Sequence, residues 1–300
     1  MENILIIGGL GTIGRPLTEE LRKRGYKVWI CDLRHVGDEE YTRCDISDYR
    51  QLERLFSEYN FKVVFSLAAE FGRNNGEMYY EQLWRTNAIG TRNILELQKD
   101  FPFKLIHASS SEIYGDLNER FYKEDMVPAP QKNDYAISKW VNELQCKNFR
   151  DRYNNQIMVL RFFNAYGPGE FYNNYRSVVC LFCYRALHKI PYQVYEGYHR
   201  VFMYIDDFIP TLANACEKFI DGEVINIGGV EYRPITDLHD IIVKITGNDM
   251  GVILPEDKHN VLNKRPDIDK SIKLLDHNPT IILEEGVAKT IEWMKEVYKI

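Results

Sequence analysis

Cysteine is sparse: six among 300 residues, at Cys31, Cys44, Cys146, Cys180, Cys183 and Cys216, without the dense spacing of a disulfide scaffold. Cys180 and Cys183 form a lone CxxC inside an apolar, helix-like run, residues 178–184, and with no second pair to complete a zinc site the expected role is packing. The seven histidines have no HExxH or paired spacing, so no metal site is expected. No run of Lys or Arg forms a stripe, and the formal net charge is −6, so neither nucleic acid nor an anionic membrane is expected as a partner. No apolar run is long enough to span a bilayer. No basic segment or cleavage site accompanies the apolar Ile4-Leu5-Ile6-Ile7, and a cytoplasmic location is the expectation. Repeats, low-complexity segments and disordered linkers are missing as well.

What is present is alternation. Short apolar runs at 3–8, 27–32, 62–67, 103–109 and 156–162 are separated by amphipathic segments at 12–24, 47–59, 77–99 and 133–153. That pattern predicts βαβ units and an α/β fold of the Rossmann type, a doubly wound parallel sheet. After residues 161–169 turn residues and aromatics replace the alternation, so a dinucleotide-binding domain over 1–168 and a smaller substrate lobe over 169–300 are expected. The segment about 201–228, with the apolar run 224–227, is expected to return to the first domain. Helices are expected over 236–246 and 283–298.

Gly8, Gly11 and Gly14 follow an apolar strand and open a helix. The first glycine permits a tight turn, the second lets the backbone approach a pyrophosphate, and the third allows close helix packing, while helix-start amides meet the negative charge. Asp32 ends the second apolar run at the distance expected for an acid on the adenosine ribose, which favours NAD over NADP, although Arg34 could neutralise a phosphate. Tyr135 and Lys139 are four apart and share a helix face, so the ammonium can lower the phenol and make it a base. Ser109, Ser110 and Ser111 lie at the C-terminal end of a strand, where doubly wound sheets bind ligands.

With these residues the chain resembles the extended short-chain dehydrogenase/reductase family, specifically the NAD-dependent nucleotide-sugar epimerases and dehydratases. The resemblance covers nearly the whole chain. It runs through Gly8 to Gly14, Asp45-Ile46, Leu67-Ala68-Ala69, Asn87 to Asn93, Ser110 with Glu112, Tyr135 with Lys139, Arg161 to Gly169, Arg200 to Asp207 and Arg265-Pro266-Asp267. It implies bound NAD held by Gly8, Gly11, Thr12, Ile13, Gly14, Asp32, Asp45, Ile46, Leu67, Ala68, Ala69, Asn87, Ser109, Tyr135 and Lys139. It implies Tyr135 as base, Lys139 as the group that tunes it, and Ser110 aligning the reacting oxygen. Arg200 and Arg265 are implied as diphosphate ligands, with Asn164, Ser111, Glu70 and Arg176 facing the substrate. It also implies a homodimer through the helices at 77–99 and 133–153, with Trp84, Leu95, Trp140 and Leu144 suited to the seam.

The reaction after oxidation turns on Glu112. A carboxylate two residues past the catalytic hydroxyl could remove a C5 proton from a 4-keto sugar, and Ser-Ser-Glu resembles the Thr-Ser-Glu of GDP-mannose 4,6-dehydratases. A nucleotide-sugar 4,6-dehydratase is therefore the leading expectation. UDP-glucuronate decarboxylases share that Thr-Ser-Glu and stay open, as does a C4 epimerase. A non-enzymatic NAD sensor is disfavoured because Tyr135 and Lys139 are both retained.

Overall fold

The computed structural model describes residues 3–37, 39–117, 119–255 and 261–300. Strands β1 (Asn3–Ile7), β2 (Lys27–Asp32), β3 (Tyr41–Arg43), β4 (Val63–Ser66), β5 (Lys104–Ser110) and β6 (Ile157–Phe162) join Val224–Ile227 in one seven-stranded sheet. Its order is Val224–Ile227, β6, β5, β4, β1, β2, β3, and every pairing is parallel. Near-continuous apolar strands suit a sheet buried on both faces. Ile4 and Ile6 of β1 pack in one core with Leu17 and Leu21, while Leu5 and Ile7 pack in the other with Leu52, Leu55 and Phe56. Only β3 went unread in the sequence, since three residues are too few for a periodicity.

Helices α1 (Gly14–Lys23), α2 (Tyr49–Glu58), α3 (Arg73–Met78), α4 (Tyr80–Trp84), α5 (Gly90–Asp100) and α6 (Asp134–Tyr153) cross over between these strands. Asp48 caps α2 by accepting the Arg50 and Gln51 N–H groups at 3.0 and 3.4 Å, and Asn133 caps α6 through the Ala136 N–H at 2.9 Å. The single helix expected over 77–99 is a correction: it is α3, α4, a π-helical turn at Arg85–Ile89 and α5. The widened turn carries Asn87, which is buried and bonded through its side chain to Glu70 and Ser138, and π turns often mark functional positions.

Outside the main sheet, Tyr192–Tyr195 pairs with Gly251–Leu254, and His199–Val201 lies between Tyr232–Pro234 and Asn263–Lys264. Helices Val178–Leu187, Ile205–Glu217, Ile235–Thr246, Asp269–Leu275 and Leu283–Tyr298 complete the chain. Ile205–Glu217 packs on α1, where Arg24 reaches Asn214 at 2.8 Å and Glu217 at 3.1 Å. Pro210 inside it is the breaker that hid this helix from the sequence reading. Leu95, placed on a helix seam from the sequence, is instead fully buried in the core shared by β5 and β6, whereas Leu144 is 48 % exposed. Among the described residues no helix is long and apolar enough to cross a membrane.

The strand order reverses between β1 and β4, so the loops after those two strands diverge and leave a crevice at the carboxyl edge of the sheet. The turn after β1 holds Gly8 to Gly14, the loop after β4 holds Leu67 to Glu70, and Ser109 and Ser110 end β5 next to it.

Candidate active site

The glycine turn is built from backbone in close contact. Gly8 has φ +81°, and a Cβ there would lie 2.7 Å from the Ala68 nitrogen. A Cβ on Gly14 would lie 2.4 Å from the Gly8 oxygen. The Gly8 N–H bonds the Cys31 carbonyl at 2.7 Å and the Gly11 N–H bonds the Gly8 carbonyl at 3.1 Å, which folds the turn over the end of β1. Gly8 and Gly14 admit no Cβ, and the turn leads straight into the N-terminus of α1, a cradle suited to a dinucleotide's pyrophosphate. Ile13 precedes α1 and packs on the core, and the Thr12 hydroxyl reaches across to the Gly169 carbonyl at 3.3 Å.

Asp32 does double duty at the end of β2. Its Oδ2 accepts the Leu10 N–H at 3.0 Å, holding the glycine turn, while Arg34 Nε stands 3.5 Å from Oδ1. Asp45 accepts the Ser47 N–H at 2.8 Å and, with Leu33, Arg43 and Gln51, lines a cavity of about 370 Å³ next to it. Ile46 is buried under Gly90. Leu67 donates to the Ile7 carbonyl at 2.9 Å, with Ala68 and Ala69 following at the crevice wall. Asn87 is buried and saturated: it accepts the Glu70 N–H at 2.8 Å and donates to the Glu70 carbonyl and the Ser138 hydroxyl, both at 3.0 Å. It therefore fixes the loop that follows β4. Glu70 itself accepts from Asn75 at 2.8 Å.

Ser110, Tyr135 and Lys139 come together at the end of β5. Ser110 hydrogen-bonds the Tyr135 hydroxyl and also accepts the Glu112 N–H at 3.2 Å, capping the 3₁₀ turn Ser111–Tyr114. Burial pushes the Tyr135 phenol up, the Ser110 bond draws it back down, and the Glu112 charge raises it further. Phe71 stands edge-on to the Tyr135 ring, centroids 5.6 Å apart. Lys139 is 4 % exposed and donates to the Ala108 carbonyl at 2.8 Å, with its Nζ 6.0 Å from the Tyr135 ring centre. Burial pushes this ammonium down to about 8, while Glu143 and Cys146 pull the other way. The group acting on the phenol is thus Ser110, with the lysine turned to main chain just beneath it.

Glu112 is not free. Its carboxylate is salt-bridged to Lys264, a buried residue of the strand Asn263–Lys264, which runs in register with Arg200. Burial alone would raise Glu112, but the Lys264 and Arg200 charges and bonds from Lys264 and Asn133 hold it below the usual carboxylate range. Burial pushes Lys264 down to about 8 against the pull of Glu112. Lys264 escaped the sequence reading because a lone lysine carries no motif. The available signal was its place directly before Arg265-Pro266-Asp267.

The remaining candidates ring this pair. Arg200 gives its fork to carbonyls, His199 and Leu262 at 2.8 Å and Val261 at 2.7 Å, and burial lowers it while Glu112 raises it. Arg265 lies over two rings, 4.4 Å from the Phe121 centre and 5.1 Å from that of Tyr232. Asn164, at φ +45°, donates to the Val201 carbonyl at 2.8 Å and so anchors the Arg200 strand. Ser111 is buried in the 3₁₀ turn. Arg176 bonds the Phe171 carbonyl at 3.1 Å within its own loop, and among the described residues no bond joins it to the other candidates. All six cysteines are buried and none forms a disulfide, and no cluster of metal-binding side chains occurs among the described residues.

The family model described as the NAD-dependent epimerase/dehydratase family matches residues 4–228. The UDP-N-acetyl-alpha-D-glucosaminuronate decarboxylase of Bacillus cytotoxicus is 30% identical over 316 residues, 98% of each chain. The UDP-glucose 4-epimerase of Thermotoga maritima, solved with UDP-glucose, superposes with a TM-score of 0.90 at 29% identity, covering 99% of both chains. The UDP-glucuronic acid 4-epimerase of Bacillus cereus, solved with UDP-glucuronic acid and NAD, gives 0.86 at 27% identity over 99% of this chain and 100% of that one.

Proposed function

The chain belongs to the NAD-dependent epimerase/dehydratase family, and from that premise we propose that it is a nucleotide-uronate decarboxylase working through a transient 4-keto sugar. NAD is the cofactor, and when bound it takes a hydride from the sugar's C4 and later returns it. The observation that carries the proposal is the Glu112–Lys264 ion pair next to Ser110 and Tyr135, its lysine buried and its carboxylate partly open to the crevice. A 4,6-elimination asks Glu112 to accept a proton from C5, and a carboxylate held low by Lys264 and Arg200 is a weak base. The same two cations suit a sugar that brings its own carboxylate at C6. The decarboxylase and the glucuronic acid epimerase among the similar proteins are named for such sugars.

Each side chain then has a task. The Tyr135 phenol, neutral in the protein without ligands, acts once ionised: as a phenolate it takes the C4 hydroxyl proton, and Ser110 aligns that oxygen. With a ketone at C4, the C6 carboxylate belongs to a β-keto acid: the C5–C6 bond breaks, carbon dioxide leaves, and the electron pair moves into the C4–C5 enolate. Lys264, an ammonium with a proton affinity near neutrality, gives its proton to C5, and Glu112 holds it in place. Arg265, with its guanidinium held over the Phe121 and Tyr232 rings, is the diphosphate ligand in this scheme, a fork suited to phosphate. Thr12, Asp32, Asp45 and the glycine turn hold the cofactor.

The test is incubation with NAD+ and UDP-glucuronate or UDP-N-acetylglucosaminuronate in deuterated water. The expected product has lost carbon dioxide and carries one deuterium at C5. Loss of water from a neutral hexose would return the assignment to the 4,6-dehydratase, and an isomer of unchanged formula would make the protein a C4 epimerase. We further infer a homodimer in which the exposed Ile89, Ile137 and Leu144 on the α5 and α6 side meet a second copy. Sedimentation equilibrium of Leu144→Lys, expected to be monomeric, checks it.

A further inference from the structure

On the opposite side of β5 from the crevice runs a set of buried polar groups that the scheme above leaves idle. Glu143, one turn beyond Lys139 on α6, is 6 % exposed, and Arg161 on β6 is 3 % exposed. Arg161 grips both carboxylate oxygens, Nε at 3.0 Å from Oε1 and Nη2 at 2.8 Å from Oε2. The Ser109 hydroxyl donates to Oε1 as well. Arg161 Nη1 donates to the Tyr114 hydroxyl at 2.7 Å and the Glu124 carbonyl at 3.1 Å, and the Tyr114 hydroxyl donates to Asn226 Oδ1 at 2.8 Å. Ser109 and Tyr114 bracket the segment that carries Ser110 and Glu112, so the network grips it at both ends.

A buried carboxylate between two buried cations is expensive to hold and contributes little to stability for that cost, which directs attention to what its charge does. Tyr135, Glu143 and Cys146 face Lys139 from α6, and the Ala108 carbonyl and the His107 ring face it from β5. His107 is neutral, since burial pushes it down to about 3 with Lys139 lowering it further. Burial raises the Cys146 thiol and the Tyr135 phenol, and both are neutral near pH 7. Glu143 is the negative charge in that set.

We propose that Glu143 is a positioning residue for hydride transfer: clamped by Arg161 and Ser109, its carboxylate keeps the Lys139 ammonium charged and the Ser110 segment in register. With an amide in its place, Lys139 and Arg161 are two cations in a low-dielectric space without a counter-charge, and the lysine is the one able to give up its proton. The inference rests on Tyr135 and Lys139 as the hydride-transfer pair and is independent of which sugar is used.

The experiment titrates protein carrying lysine labelled with ¹³C at Cε by NMR, without substrate, the Lys139 resonance being the one lost in Lys139→Met. In Glu143→Gln the Lys139 midpoint is expected to fall by at least one pH unit, a tenfold loss of proton affinity. In Arg161→Met, which removes a repelling charge, it is expected to rise. Ser109→Ala, which deletes one bond and no charge, leaves it in place, and the alkaline limb of the kcat profile follows the same order. A midpoint unmoved in Glu143→Gln while Tm drops would make Glu143 a packing residue and overturn the proposal, as would a shift in Ser109→Ala as large as that in Glu143→Gln. Where Glu143→Gln does not fold, absence of the rise in Arg161→Met overturns it. Since the readout needs no turnover, failure here is distinct from failure of the uronate assignment.

Discussion

At its cofactor end the crevice is walled by main chain, where Gly8, Gly14 and Ala68 approach so closely that a methyl group has no room. At the end proposed for the sugar the wall is made of charged side chains, where Glu112 from the β5 turn meets Lys264 and Arg200 from two strands late in the chain. Backbone walls recognise what every member of such a family shares, a dinucleotide, and admit almost no substitution. Side-chain walls can change one residue at a time without refolding anything, so the chemistry that distinguishes one reaction from another is expected at that end. The difference explains how a single fold serves decarboxylases and epimerases alike.

The sharpest way to break that contrast is Gly14→Ala. The new methyl group would meet the Gly8 oxygen at 2.4 Å and the Gly9 Cα at 2.6 Å, backbone atoms that no rotamer change can move aside. A loss of about 100-fold or more in NAD affinity is expected by calorimetry, roughly 3 kcal/mol, with a lowered Tm. Gly11→Ala, whose nearest neighbour is the Gly8 oxygen at 3.2 Å, should cost only several-fold. NAD binding unchanged in Gly14→Ala would mean that the turn is not a rigid cradle.

At the other end, Lys264→Met removes one charge and keeps the stem's volume. The expected result is a fall of about 30-fold or more in kcat/KM for a nucleotide uronate, about 2 kcal/mol for truncating the buried partner of a half-open charge pair, with NAD affinity unaltered. If NAD binding fell as far as turnover, the two ends would not be separable, and the comparison would collapse.

How the two ends were read from sequence follows the same division. The glycine turn, Asp32 and the Tyr135–Lys139 pair are local patterns, a few residues apart on one strand, turn or helix, and six of the seven sheet strands are apolar runs visible without a structure. Lys264 and Glu143 were invisible for the opposite reason. Each acquires meaning only from a partner far along the chain or on another element, Glu112 in one case and Arg161 in the other, and a lone lysine or glutamate carries no periodicity. The break of the expected 77–99 helix belongs to the same class, because it serves a tertiary bond from Asn87 to Glu70 and Ser138 that local propensity cannot announce.

Each end also holds one buried lysine, and pH can compare them. Burial pushes Lys139 and Lys264 down to about 8 in the native state, whereas an unfolded lysine titrates near ~10.4. Between those values the unfolded chain binds more protons than the native one, so stability rises with pH across that window and the cost of burying the charges is fully present below it. The slope is at most about 1.4 kcal/mol per pH unit for each lysine. The buried thiols Cys146, Cys180 and Cys183, raised by burial, and Cys31, raised by its bond to Cys44 and by burial, oppose this at alkaline pH. The readout is therefore a difference: between pH 7.5 and 10, Lys139→Met and Lys264→Met should each show a urea midpoint that rises less, or falls more, with pH than that of the unmodified protein. Profiles of the same slope in all three proteins would mean that these ammonium groups are better solvated than their burial implies.

The smallest expected effect bears on whether the ends are coupled. Thr12, in the glycine turn, donates its hydroxyl to the Gly169 carbonyl at 3.3 Å, and Gly169 starts the loop that leads through Arg176 on the substrate side. Thr12→Val keeps the shape and deletes one neutral, part-buried hydrogen bond, worth about 0.5–1.5 kcal/mol. If the strap couples the ends, that loss is shared: NAD affinity and the KM for the sugar nucleotide both shift by a similar factor of about 2–5, and each ligand's effect on the other weakens equally, as linkage requires. If NAD alone responds, the hydroxyl only shapes the cradle, and the two walls bind their halves of the reaction independently, one made of backbone and the other of charge.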